Sequence, residues 1–492
     1  MVKETGNLAV VGSTFTNPGE ALTLNSEVSS AVVTGNKFAG RPGYVNQSSS
    51  ARVIINDTPV AESKMPVIPR LKDRVTKPAK TDLYVVTESP WNPRTDTGAD
   101  DTPAIQRALD AAGENGGGIV FLPGGMYPVH GNLSVPAEVE LRGTYDMPHT
   151  TIAAIGTGLM LYGGRGDEKA PPALTLKARA GLRGVSLLYP EQTAEATPYP
   201  FTIQGQGADI YLVSVTGGDT YKFVDLMNYR CDNHYLESLR GDAFREGVAV
   251  GGGSTGGELR DIHLKPGRLN RNYPQEHLEA FVLGDCNHEF VFQNMVYGTL
   301  TGYRFIEQNG RGASAFLAYG AGADASPQNV VCEALGKGGA DFINAGIENN
   351  TRGRVRKTMI TVRPGCNGQL RFYNPFLGGK PDNAARIESG SVLVEMGNFS
   401  RFAPFEVNGG TLSLMTSYLG EDLTQGAGVI HAVRPPSPIT VSGTFSPAGI
   451  TRSPDTAEAS VVENCNTKYE PSPIAKTYKV NPPPKAPKSK QQ

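Results

Sequence analysis

Apolar positions along the chain follow two periods, and one stretch contains the change between them. In TDTGADDTPAIQRALDAAGENGGGIVFLPGGMYPVHGNLSVPAEVELRG (Thr95–Gly143), Ile105, Ala108, Leu109 and Ala112 recur at three- and four-residue spacing, which predicts a short amphipathic helix over 102–112. Asp101 or Thr102 stands at its N-cap, and Pro103 takes the first helical position, where its missing N–H costs nothing. The run Gly113–Gly118 ends the helix. From Ile119 and Phe121 through Leu133–Leu141 the period becomes two, so strands follow. A helix with one apolar face and no helical neighbour must cover something else, and the open end of a stack of strands needs such a cover.

The same alternation repeats elsewhere. NLAVVGSTF (Asn7–Phe15) and SAVVTGNKF (Ser30–Phe38) superpose with Gly12 on Gly35 and Phe15 on Phe38, and SARVIINDT (Ser50–Thr58) is a shorter third copy. Farther on, LRGVSL (from Leu182), LVSVTG (Leu212), LESLRG (Leu236), LRDIHL (Leu259) and FQNMVY (Phe292) superpose, with Gly184, Ser214, Ser238, Asp261 and Asn294 third in each. Small or polar side chains there can bond to the backbone of the neighbouring coil. Between Asn309 and Thr358 the pattern weakens, which predicts a long excursion at the edge of the stack. It returns with Phe376, Phe399, Tyr418 and Phe445 at matching turns. The chain thus divides into partial coils over 1–59, a Pro-rich linker over 60–92 ending near Trp91, a main solenoid over 93–447 and a Pro- and Lys-rich tail over 448–492 expected to be disordered. The opening coils precede the capping helix instead of following it, so they belong to the end of a preceding module or dock elsewhere, and the N-terminus reads as truncated.

The stretch DTGADDTPAIQRALDAA, followed by GGGIVFLPGGMYPV and VELRG, resembles the opening module of pectate-lyase-superfamily right-handed parallel β-helices. That grouping includes polygalacturonase-like, rhamnogalacturonase-like and tandem β-1,3-glucanase-like proteins and some phage tailspikes. The resemblance implies an all-β, single-stranded, pectin-lyase-like parallel β-helix with an N-terminal capping helix. It also implies a polysaccharide or oligosaccharide partner, an extracellular or cell-surface location, and trimers in the tailspike relatives. It is almost silent on the reaction. Asp96, Asp100 and Asp101 fit turn, cap and helix-dipole roles better than catalysis.

Composition narrows the picture further. Gly (59) and Pro (36) are abundant while charged residues make 19%, as many short strands separated by turns require. A formal charge of −2 offers no basic field for nucleic acid, and no apolar run is long enough to span a membrane. Cys231, Cys286, Cys332, Cys366 and Cys465 show no zinc or disulfide spacing and read as buried small hydrophobes.

Side chains one coil apart stand about 4.8 Å from each other, a separation suited to paired carboxylates. The densest candidate stretch runs from Phe223 to His263. There Asp225, Asp242, Glu246 and His263 are the expected catalytic groups, and Glu237, Arg240 and Arg260 the expected substrate contacts. Glu237 with Arg260, and Arg240 with His263, fall in two outward columns. Asp225 and Gly241-Asp242 resemble the polygalacturonase-like arrangement of an Asp on one coil and an acidic pair after a Gly on the next. The Asn-Thr-Asp run, the second Asp, the Gly-His-Gly and the Arg-Ile-Lys of that pattern are absent, which argues against pectin hydrolysis. A second group, Glu276, His277, Glu279, Asp285, His288 and Glu289, has no metal-ligand spacing. A glycoside hydrolase without cofactor is the leading expectation. A polysaccharide lyase of the same fold, with Ca²⁺ on Asp225, Glu237 and Asp261 beside Arg260, is the alternative. A non-catalytic, tailspike-like sugar binder is the third.

Overall fold

The computed structural model describes residues 7–41, 43–56, 78–91, 98–144, 156–267, 269–351, 357–424, 428–432, 439–446, 449–454, 456 and 461–468. The chain forms two compact units, 1–73 and 74–492. In the first, Asn7–Val11, Ser30–Thr34 and Val53–Asn56 make a parallel three-stranded sheet, with Asn7 opposite Ser30 and Ala31 opposite Val53. Gly12 and Gly35 both adopt positive φ at the following corner, and Phe15 stacks on Phe38 at 4.9 Å. Leu22, Leu24, Val28, Ala31 and Val33 give this unit its own small core.

The second unit is a right-handed parallel β-helix of the pectin-lyase-like kind. One 15-stranded parallel sheet begins at Leu83–Val85 and ends at Val461–Asn464, and a 24-stranded sheet wraps the remaining faces of the coils. Leu83–Val85 lies within the span read as linker, because three residues beside Asp82 and Thr87 are too few to display a period. Val461–Asn464 likewise adds a rung inside the expected tail by pairing with Ile439–Ser442. Helix α1 spans Thr102–Glu114 and buries Thr102, Ala104, Ile105, Ala108, Leu109 and Ala112. Its N-terminus is held by Asp100, not by a side-chain bond from Asp101: Asp100 Oδ1 accepts from the Thr102 N–H at 3.0 Å and the Thr102 hydroxyl at 2.5 Å. Asp96 lies outside the described residues. Gln106 exchanges two amide bonds with the backbone of Ser134, so the helix covers the open end of the stack and supplies polar partners there.

Inside the coils Leu141, Leu182, Leu212, Leu236, Leu259, Val291, Ala318, Phe342, Phe372, Val394 and Leu414 form one vertical column. The stretch 309–358 holds complete coils here, not an excursion. Ala318, Ala321, Ala323 and Ala340 lower its hydrophobic contrast, yet they leave room for the buried rings of Phe316 and Phe342. Two further corrections concern phase. Leu259 pairs with Val291, so the residue at the corner is Gln293 and not Asn294. Phe399 pairs with Leu377 and is buried, whereas Phe376, Tyr418 and Phe445 line an outward column with Asn398 between them.

From Gly184 onward the corner between the two sheets is made by one residue with positive φ: Gly184, Ser214, Ser238, Asp261, Gln293, Gly320, Asn344 and Asn374 are successive examples. Each N–H donates to the carbonyl that ends the strand one coil on, as from Ser238 to Arg260 at 3.0 Å and from Asp261 to Phe292 at 2.9 Å. The left-handed conformation favours Gly, Asn and Asp at such a corner, and side-chain bonds also join neighbouring corners, from the Ser238 hydroxyl to Asp261 at 2.9 Å and from Asn374 Nδ2 to Asn344 Oδ1 at 2.9 Å. Asn374→Gly should therefore be nearly neutral. Asn374→Val should lose about 1–2 kcal/mol, measured by chemical denaturation.

Candidate functional site

The strands Thr216–Leu226 and Arg240–Val250 have 11 residues each and pair in parallel, with register shifts between Gly217, Thr220 and Lys222. A shift of this kind bends the strand and re-aims its side chains. Asp219 sits in it with φ 54°, and its N–H donates to Asp242 Oδ1 at 2.7 Å. The Thr220 hydroxyl donates to the Asp242 carbonyl at 2.8 Å. On the next coil His263 is opposite Arg240, and the Lys265 N–H donates to the Gly241 carbonyl at 3.0 Å. The chain then closes over the acid pair at Gly267. A β-carbon there would collide with Asp242 Oδ2 and stand 3.2 Å from Asp219 Oδ1, so the close approach requires glycine.

Burial and then the neighbouring Asp219 carboxylate push Asp242 up to about 7, against the opposing effects of the Asp219 N–H bond, a second backbone bond and, last, Lys265. Both causes disfavour the charged form. Burial, Arg240 and Lys265 hold His263 below its ordinary value, so the imidazole is neutral at pH 7. Arg240 grips Asp261 through two bonds of 2.7 and 2.9 Å and also donates to the Asp261 carbonyl. The fold thus gathers three residues expected from the sequence, Asp242, His263 and Arg240, and adds Asp219 and Lys265.

The other expected residues stand elsewhere. Asp225 is fully buried; it accepts from Gln204 Nε2 and Asn228 Nδ2 at 2.7 Å and from the N–H groups of Met227 and Asn228 at 2.8 and 3.1 Å. With these bonds filled it fixes the turn after its strand and cannot meet a substrate. Glu246 belongs to a row with Lys222 and Glu279: Lys222 Nζ lies 3.6 Å from Glu246 and 3.2 Å from Glu168. Burial raises the Glu246 pKa while Lys222 opposes the shift. Glu237 and Arg260 share an outward column of the 15-stranded sheet. Glu237 accepts from the Tyr235 hydroxyl at 3.0 Å; Arg260 pairs with buried Glu258 and lies 4.5 Å from the Phe292 ring centre.

That sheet also carries a cavity of about 280 Å³ lined by Asp209, Asn233, His234, Tyr235, Gly256, Glu258 and Phe290. His234 is buried between the Cys231 carbonyl at 2.7 Å and Glu289 at 3.1 Å. Burial lowers its pKa, but Glu289 and the carbonyl outweigh it and the net shift is upward. The second sequence cluster does not converge. Glu279 pairs with Arg304, Asp285 with Arg311 at 2.6 Å, and Glu289 with His234. Among the described residues no three His, Cys, Asp or Glu side chains are grouped to hold a metal ion. For Ca²⁺, Asp225 is already filled by four donors and Asp261 is tied to Arg240, so this ligand set does not fit.

Sequence reading missed Asp219, although a signal was present. Thr216-Gly217 superposes on Arg240-Gly241, which leaves Asp219 and Asp242 one coil apart and offset by the inserted residue.

No protein-family profile and no curated protein sequence matches the chain. Solved structures do. DFA-IIIase from Arthrobacter chlorophenolicus A6, crystallised with GF2, is 8% identical with a TM-score of 0.52, covering 79% of this chain and all (100%) of its own. An exopolygalacturonase from Thermotoga maritima is 10% identical with a TM-score of 0.45, covering 75% and 93%. A tailspike protein of E. coli bacteriophage HK620 is 13% identical with a TM-score of 0.45, covering 77% and 66%. The first of these likenesses shows the fold. No helix among the described residues is long and apolar enough to cross a membrane.

The raised pKa of Asp242 has a stability consequence. Below its ordinary value of 3.8 the group is protonated in both folded and unfolded chains and has no effect. As pH rises from there towards 7, only the unfolded chain ionises freely, so the folded state loses stability. Asp242→Asn removes that loss, keeps an acceptor for the Asp219 N–H and gains a donor for the Asp219 carboxylate. Its melting temperature should exceed that of the parent at pH 8 and match it at pH 3.

Proposed function

We propose that the protein is a polysaccharide-active enzyme of the glycoside hydrolase type, working with Asp242 as proton donor and Asp219 as the ionised partner. The observation that carries this reading is the acid pair at the register shift. Two carboxylates stand on adjacent coils, and burial with the Asp219 charge beside it raises the Asp242 pKa, which suits it to be the acid of a pair that splits a glycosidic bond. The fold hosts many unrelated activities, so the site and not the likeness bears the weight.

Asp242 holds its Oδ1 on the Asp219 N–H, which leaves Oδ2 to carry the proton delivered to the glycosidic oxygen. As the leaving group departs, positive charge builds on the sugar ring, and the Asp219 carboxylate stabilises it or activates the attacking water. Neutral His263 offers one donor and one acceptor for sugar hydroxyls, and Lys265 supplies a cation for a carboxylated sugar. Arg240, committed to Asp261, acts as a positioning residue for this corner. A substrate of this kind places the protein outside the cell or at its surface.

A product screen over plant, algal and bacterial polysaccharides tests the reading. New reducing ends without ultraviolet absorbance support hydrolysis, absorbance from an unsaturated uronate supports a lyase, and binding without turnover supports a spike-like binder. On the substrate found, Asp242→Asn and Asp219→Asn should each lower kcat by about 10³-fold or more. Parent activity should fall as pH rises through about 7, because Asp242 loses its proton there. Asp225→Asn should instead destabilise the fold and leave the kcat of the folded fraction close to the parent's.

A further inference from the structure

Cys332 ends the strand Gln328–Cys332 and lies opposite Val362 of the next coil. After that strand the chain turns back, with the Arg363 N–H bonded to the Cys332 carbonyl at 2.8 Å, and brings Cys366 beside Cys332. The two sulfurs are 3.1 Å apart, and both side chains are buried. Cys231 and Cys286 are also buried, and Cys465 is exposed. Two thiols facing each other across neighbouring coils need only a small approach to reach bonding distance, about 2.05 Å.

We propose that Cys332 and Cys366 are a cross-linking pair that closes into a disulfide when the chain folds in an oxidising compartment, clamping two coils together. Cys366 is the first nucleophile. The hydrogen bond from Cys332, against burial and together with the Gly368 and Leu335 N–H groups, lowers it to about 7, while the same bond and burial push Cys332 up. The oxidant is a small-molecule disulfide such as glutathione disulfide. The Cys366 thiolate attacks one of its sulfurs and expels a thiolate, giving a mixed disulfide. Cys332 then gives up its proton and attacks the Cys366 sulfur, expelling the second thiolate. Two protein thiols lose two electrons and two protons, and the reagent becomes two thiols. Burial then shelters the finished bond from reductant. The pair lies 34 positions apart in the chain, so the bond should restrict the unfolded chain appreciably.

The full chain, refolded in a glutathione redox buffer, is denatured in an alkylating agent and mapped by mass spectrometry without reduction. The expected result is a Cys332–Cys366 linked peptide, two hydrogens lighter than the separate peptides, with Cys231, Cys286 and Cys465 alkylated. The melting temperature should fall by about 5 °C or more when the protein is refolded with reductant, and Cys332→Ala and Cys366→Ala should show no such dependence. Full alkylation of Cys332 and Cys366, matching Cys231 and Cys286, overturns the proposal. An equal melting temperature with and without the link overturns the clamping role. If either single variant fails to fold, the peptide map of the parent still decides the cross-link.

Discussion

From Gly184 onward the coils of the main unit turn between their two sheets through one residue held at positive φ, and the N–H of that residue is bonded to the carbonyl ending the strand of the next coil. A one-residue corner leaves no slack. Once Ser214, Ser238, Asp261 and Gln293 occupy it, the strands on either side cannot slip, because a slip of one residue would turn the inward column outward. The unbroken interior column from Leu141 to Leu414 follows from this constraint, and so do the outward rows of charge. Coils differ in length elsewhere, in the loops, without disturbing the stack.

The same rigidity makes the departure at Asp219 informative. Corner residues can hold positive φ because the stack repeats the arrangement above and below. Asp219 holds it inside a long strand, where the register with Arg240–Val250 breaks. Backbone strain of this kind persists where the surroundings enforce it, and active sites are common among such places. The bond from the Asp219 N–H to Asp242 Oδ1 is one contact that holds it.

Three buried acids elsewhere in the unit are matched by donors. Glu140 is fully buried with Arg142, Arg183 at 3.2 Å and the Tyr211 hydroxyl at 2.6 Å. Glu258 has Arg260, and Asp225 has two side-chain amides and two backbone N–H groups. These sites hold a carboxylate in place by satisfying it. Asp242 is treated differently, since burial and a like charge dominate its surroundings. Stability and chemistry pull in opposite directions at this residue, which is a usual property of catalytic acids.

The sequence by itself determined the class of fold, the capping helix, the repeat of the opening strands and the columns pairing Glu237 with Arg260 and Arg240 with His263. The class of fold rests on the resemblance carried by Thr95–Gly143, and the rest on local period: 3.6 residues for α1, two for the strands, and one apolar residue at the same place in each coil. Tertiary structure decided what period cannot carry. Whether Asp225 meets solvent depends on Gln204 of the previous coil, and the state of Asp242 depends on Asp219, which a single inserted residue moved out of the repeat. The coils between Asn309 and Thr358 were hidden because alanines opposite phenylalanines fill the interior as well as leucines do while erasing the contrast that a sequence displays. Cys332 and Cys366 met for a similar reason: their spacing spans one full coil and its loop, and loop lengths follow no repeat.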